Sequence, residues 1–153
     1  MKLKLTTPAA CRVARIDRDR FNEEVAAGNF NCAPSTIPGR ARLFDPDDMV
    51  ALWLFRDLLE DGESKRVAGR IACKISQLAR EYPEDRTISL VKSYFNDGGT
   101  AMRTKDVPDP SEWDKILIGG TDIKEVRTFR IGKMRDMIAH ATEEERAVIG
   151  ERD

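Results

Sequence analysis

The sequence predicts an α+β chain, and three observations carry that expectation. Residues 5 to 81 hold four stretches with apolar residues at helical spacing, each opened by a good capping residue. After Pro83 the apolar residues gather into short runs broken by Asn96-Asp97-Gly98-Gly99 and Gly119-Gly120, a pattern of strands and turns. Met134, Met137, Ile138 and Ala141 then return to helical spacing. The expected division is a helical part at 1–83 and a small strand-containing part at 84–153, suited to dimerisation or effector binding.

Thr7 is expected to cap a helix over about 8 to 14, with Pro8 at its first position and Ala10, Val13 and Ala14 on its apolar face. Asp17 caps a second helix that runs to about Ala27 and stops at Gly28. Phe21 and Val25, at i and i+4, face the first helix and leave Arg18 and Asn22 outward. Asn29 to Gly39 reads as a loop, and Arg40 to Phe44 as a short extended, basic wing. Asp45, with Pro46 behind it, opens a third helix that ends at Gly62. Ser64 opens a fourth, with Val67, Ile71, Ile75 and Leu78 on one face, stopped by Pro83. Ile88 to Phe95 reads as a strand turning at Asn96 to Gly99 and returning over Thr100 to Thr104. Ile116 to Ile118 and Ile123 to Ile131 suggest a second strand pair around Gly119-Gly120. Thr142 with Glu145 looks like a capping box for a last short helix.

Composition narrows the function. The 153 residues carry a formal charge of -1 and a pI near 6.0, which argues against a nonspecific coat for nucleic acid. The balance hides an asymmetry. Residues 1–42 hold eight basic side chains against four acidic ones, and the remainder holds 18 against 23. Such a chain suits a module that meets phosphate with one end. Three cysteines, Cys11, Cys32 and Cys73, lack CxxC spacing, so neither a disulfide framework nor structural zinc is expected, and a reducing cytoplasm is the natural compartment. No stretch has the length of a membrane span.

Catalysis finds little support. His140 is the only histidine, which removes most acid–base and zinc arrangements, and its expected place is the surface of the last helix. No phosphate-binding glycine motif is present, and Cys73 lies among apolar residues like a core thiol. Neither an enzyme nor a cofactor or metal is expected.

The run from Arg42-Leu43-Phe44-Asp45 through Asp48-Met49-Val50-Ala51-Leu52, followed by Gly62-Glu63-Ser64, resembles the wing and following helices of MerR-type winged helix-turn-helix domains. Arg42, Phe44, Asp48 and Leu52 fall on the arginine, aromatic, acid and leucine of that motif, and Thr7-Pro8-Ala9-Ala10 fits its opening. The likeness covers about half the chain, and excisionases share the same winged core. MerR members continue into a long dimerising helix where Pro83 ends this one, so the likeness implies a small prophage-type regulator rather than a metal- or drug-sensing activator. It implies a sequence-specific binder of double-stranded DNA, more readily a repressor, with helix 17–27 in the major groove and the 40–44 wing on the backbone or minor groove. The candidate DNA-binding residues are Arg15, Arg18, Arg20, Asn22, Arg40 and Arg42. One reading helix specifies too few base pairs, so a homodimer on an inverted repeat is expected. The competing readings are an excisionase-like DNA-bending protein and a phage adaptor or antitoxin that binds another protein.

Overall fold

The computed structural model describes residues 4–36 and 38–149. It is a mixed α+β fold of five helices and two small antiparallel sheets, in the order β1 (Leu5–Thr6), α1 (Thr7–Ala14), α2 (Arg18–Ala26), β2 (Leu43–Phe44), α3 (Pro46–Glu60), α4 (Lys65–Glu81), β3 (Ile88–Ser93), β4 (Asn96–Arg103), β5 (Leu117–Ile118), β6 (Thr121–Phe129) and α5 (Ile131–Ile149).

Local chemistry sets most of the helix ends. Asp17 accepts the Arg20 backbone N–H at 3.0 Å, and Ser64 accepts that of Val67 at 3.3 Å. Asp45 and Asp48 form a reciprocal box, each side chain accepting the other's backbone N–H at 2.8 and 2.9 Å. The first helix begins one residue earlier than the sequence suggests, so Thr6 rather than Thr7 is its N-cap, and Thr6 makes no side-chain capping bond. At its other end Arg15 takes the left-handed conformation, φ 59°, and the Ile16 amide donates to the Cys11 carbonyl at 3.0 Å. Three residues, Arg15 to Asp17, therefore turn the chain from α1 into α2.

The extended run at the wing pairs backwards. Leu43 and Phe44 lie antiparallel to Thr6 and Leu5, so the strand partner comes from the N-terminus and not from the 29–39 loop. The larger sheet has the order β4-β3-β6-β5. Its central strand β3 turns Ile88 and Leu90 into the helical core, while the Ser89 hydroxyl, on the other face, meets Thr104 and Thr128 at 2.9 Å each.

Four sequence expectations need correction. The turn after β3 is Tyr94-Phe95, not Asn96 to Gly99, and β4 starts at once with Ser93 opposite Asn96. The last strand ends at Phe129, and Ile131 already opens α5. No helix starts at Thr142: α5 is continuous across it, and the Thr142 side chain is buried. Cys32 and Cys73 form a disulfide, with Cα atoms 5.6 Å apart, that fastens the loop after α2 to the middle of α4. The expectation of no disulfide, with Cys73 a core thiol, fails because packing unites residues 41 positions apart, which spacing alone does not reveal. The closeness is built by Gly69, whose Cα faces the Asn29 carbonyl so tightly that a Cβ would lie 1.6 Å from that oxygen.

The core is one contiguous cluster running from Leu5 to Ile138. Helix α5 packs on α1 and α3. Arg135 on α5 donates to the carbonyls of Ala79 (2.6 Å), Pro83 (3.1 Å) and Asp85 (3.2 Å), covering the C-terminal end of α4. Pro83 thus marks a change of secondary structure inside one packed body.

Candidate nucleic-acid interface

Helix α2 is seated by one side chain. Phe21 is fully buried, with ring centroids 5.9 Å from Phe30 and 5.8 Å from Phe44, and Phe30 lies 4.9 Å from Phe55 on α3. These aromatic contacts fix which face of α2 turns inward. The C-terminal end is pinned separately. Glu24, 3% exposed, accepts from the Asn29 side chain at 3.1 Å and pairs with Lys65 at 3.3 Å. A buried carboxylate with two such partners ties α2 to the start of α4.

With Phe21, Glu24 and Val25 inward, Arg18, Asp19, Arg20, Asn22 and Glu23 are exposed. Their order around the helix matters. Arg18 and Asn22, four apart, share one flank, while Arg20 stands about 200° away from Arg18 on the other. Asp19 and Glu23, also four apart, run along the outermost line between the two flanks.

Arg15 and Arg18 meet a third arginine that the sequence reading did not select. Together with Arg12 they line a cleft of about 470 Å³ between the end of α1 and the start of α2. Arg12 reaches Glu145 of α5 at 2.5 Å. Cys11 lies in the same cleft wall, and burial pushes its thiol up to about 11, so it stays protonated and unreactive at neutral pH.

The wing residues sit elsewhere. Arg40 is exposed beside Gly39, which has φ 78°. Arg42 is half-buried and its guanidinium donates to the Pro34 carbonyl, bracing the loop from within. These two adjoin β2, at the N-terminal end of α1, whereas Arg15 and Arg18 flank its C-terminal end. Eight residues of helix, about 12 Å, separate the two groups. Arg15 and Arg18 are brought together, Asn22 joins Arg18 on one flank, and Arg20, Arg40 and Arg42 stand apart from them.

A second basic surface went unread in the sequence. Arg66, Arg70, Lys74 and Arg80 of α4 line a groove of about 530 Å³ against Asn29 and Asn31. Arg66, Arg70 and Lys74 recur every four residues, a basic stripe beside the apolar face from which the sequence predicts this helix. Lys74 donates to the Gly99 carbonyl at 3.0 Å. Arg80 forks onto Asp45 at 2.9 and 3.1 Å and reaches Asp48 at 3.0 Å. This acidic knot splits its two carboxyls. Burial works against ionised Asp45, but the Arg80 hydrogen bonds and the Asp48 N–H outweigh it and hold that carboxyl at about 2. Burial pushes Asp48 up to about 6, the neighbouring Asp45 charge adding to the rise while the Asp45 N–H opposes it.

His140 lies exposed on α5, 3.0 Å from Glu144. Among the described residues no group of three or more His, Cys, Asp or Glu is arranged to hold a metal ion, and no helix is long and apolar enough to cross a membrane. No protein-family model matches the chain, and no curated protein matches it as a relative.

Proposed function

We propose that this protein binds double-stranded DNA sequence-specifically as a transcriptional regulator, acting as a repressor and as a dimer, through a MerR-like winged helix-turn-helix in residues 1–83. The observation that supports the reading best is the α1-turn-α2 unit. A three-residue turn joins two short helices, Phe21 anchors the second, and Arg18 and Asn22 lie along one exposed flank of it. Arginine to guanine and asparagine to adenine are the natural bidentate pairs in the major groove. Arg15 in the turn before α2 supplies phosphate contact, and Arg40 does so from the wing, with Arg42 holding the wing loop in shape. Arg20, on the far flank, touches backbone rather than bases. The protein acts without catalysis or cofactor in the cytoplasm, where its operator is, although the Cys32–Cys73 disulfide removes the free-thiol argument for that compartment.

The test is fluorescence-anisotropy titration against genomic fragments that co-purify with the protein. Arg18→Ala and Asn22→Ala should each lower specific binding by ~1–3 kcal/mol and leave thermal stability nearly unchanged. Full affinity in the double variant would sink the assignment.

One observation favours a second reading. Asp19 and Glu23 occupy the outermost line of α2, which repels phosphate and suits a basic protein partner. On that reading the chain is a protein-binding adaptor. Asp19→Ala with Glu23→Ala would then abolish partner capture, whereas on the DNA reading the same change tightens binding.

A further inference from the structure

The four-stranded sheet has two edges, and they are treated differently. On one side, β4 is covered by α4, with Lys74 capping the Gly99 carbonyl at 3.0 Å. On the other side, β5 pairs with β6 only at Thr121 and Asp122. From Ile123 to Phe129 no strand pairs with the outer side of β6 among the described residues. An unpaired run of backbone donors and acceptors is a template for another strand. The register with β3 slips between Lys92 and Ser93, so the bulge falls at Lys124 and leaves Glu125 to Phe129 regular.

We propose that this edge is an interface between copies, in which β6 pairs antiparallel with β6 of a second copy about a two-fold axis at Val126. The occupant follows from charge. An isologous pairing must set the strand against its own reverse. Centred on Val126, it places Glu125 opposite Arg127 of the second copy, and Arg127 opposite Glu125, with Lys124 facing Thr128. Centred on Glu125 or on Arg127, it sets a like charge against itself. Shifted half a step towards Lys124, it faces Lys124 with Arg127, and half a step the other way it pairs no charges at all. Glu125 and Arg127 are 52% and 40% exposed, and each is already steadied on the same face of the strand, by Lys92 at 3.8 Å and Asp61 at 2.6 Å. Their ordering cost on pairing is correspondingly small. The pairing names an interface for the dimer proposed above, yet nothing in it requires DNA.

The experiment uses the full chain and no DNA. Sedimentation equilibrium across micromolar concentrations should give a dimer for the wild type. Glu125→Arg sets arginine against Arg127 at both ends of the two-fold pairing and leaves the Asp61–Arg127 bond intact. It should raise the dimer dissociation constant about tenfold or more with an unchanged circular-dichroism spectrum. Arg127→Glu should do the same, and an equal mixture of the two variants should restore a dimer, because each then meets its complement. A monomeric wild type, a fully dimeric Glu125→Arg variant, or a mixture of folded variants that stays monomeric would each overturn the proposal. Should Arg127→Glu fail to fold, Glu125→Arg alone decides it. DNA binding by a protein that fails here would refute the interface and spare the function.

Discussion

Replacing Gly69 by alanine should destabilise the protein, although it sits in the middle of a seventeen-residue helix. In an exposed helix interior the same change stabilises by roughly 0.8–1 kcal/mol, because glycine has the greater backbone entropy to lose. Here the new methyl would lie 1.6 Å from the Asn29 carbonyl oxygen and 2.8 Å from its carbon. Both are backbone atoms, so no rotamer change relieves the clash, and the loop must retreat by more than an ångström. Its freedom to do so is small. The Asn29 amide donates to the Glu24 carbonyl at 2.9 Å, Phe30 is packed against Phe21 and Phe55, and Cys32 is bonded to Cys73 one helical turn beyond Gly69.

Overpacking of this kind costs about 1–3 kcal/mol, and more where the surroundings are fixed. With a backbone carbonyl at 1.6 Å the cost falls at the upper end of that range, about 3 kcal/mol, and after the propensity gain the net change should be a loss of about 2 kcal/mol. At roughly 2–4 °C per kcal/mol for a chain of this size, the melting temperature should fall by roughly 4–8 °C. Urea and thermal unfolding of the Gly69→Ala variant provide the assay. A variant as stable as the wild type, or more so, would refute the close seating of the 29–32 loop on α4, and with it the placement of the C-terminal end of α2.

Two further changes probe neighbouring features. Cys32→Ser opens a cross-link between residues 41 positions apart, which on the chain-entropy model removes about 4 kcal/mol. Urea unfolding of the wild type should weaken on adding dithiothreitol and that of the variant should not, while equal wild-type curves with and without reductant would refute the bridge. Asp48, pushed up to about 6, takes up its proton in the folded state before the unfolded chain does, so its contribution to stability grows as pH falls from 7 towards 4. Asp45, held near 2, keeps its contribution in that range and loses it only on further acidification. Asp48→Asn should therefore gain most over the wild type at pH 7 and progressively less towards pH 4. A gap that widens on acidification would reverse the assignment.

What the sequence disclosed and what it hid divide by range. The caps at Asp17, Asp45 and Ser64 act within three residues, and the residues that make them adjoin the helices they open. Phe21 was legible as an inward residue for the same reason. The hairpin was misplaced because Asn96 to Gly99 carries every local mark of a turn. Gly99 is needed instead inside the strand, where a Cβ would meet Leu90 and the Val91 carbonyl at 3.0 Å. The turn then falls to Phe95, which takes φ 69° without being glycine. Thr142 has the side chain of a cap but lies buried within α5, and tertiary packing overrides its local preference. At the candidate interface, the exposure of Arg18 and Asn22 followed from periodicity. The cleft that joins Arg12 to Arg15 and Arg18 depends on the left-handed turn at Arg15, which no residue type there announces.

The relation between the two halves decides how the assembly can be studied. Removing everything after Pro83 looks like a clean separation in the sequence, yet Ile131, Met134 and Ile138 are 0%, 9% and 4% exposed in the shared core. At about 1.5–3 kcal/mol for each buried side chain, their loss approaches the 5–15 kcal/mol that holds a typical domain together. The fragment would also leave the Ala79 carbonyl without Arg135, Arg12 without Glu145, and the faces of α1 and α3 that α5 covers open to water. A fragment that fails to dimerise would therefore report unfolding rather than a lost interface. Charge exchange at Glu125 leaves that core untouched, and Arg127 meets it only through the ring of Phe129, which makes the exchange the sharper probe. The two surfaces also share that core: β6 leads directly into α5, and α5 packs on α1, whose last residues line the cleft in front of Arg18.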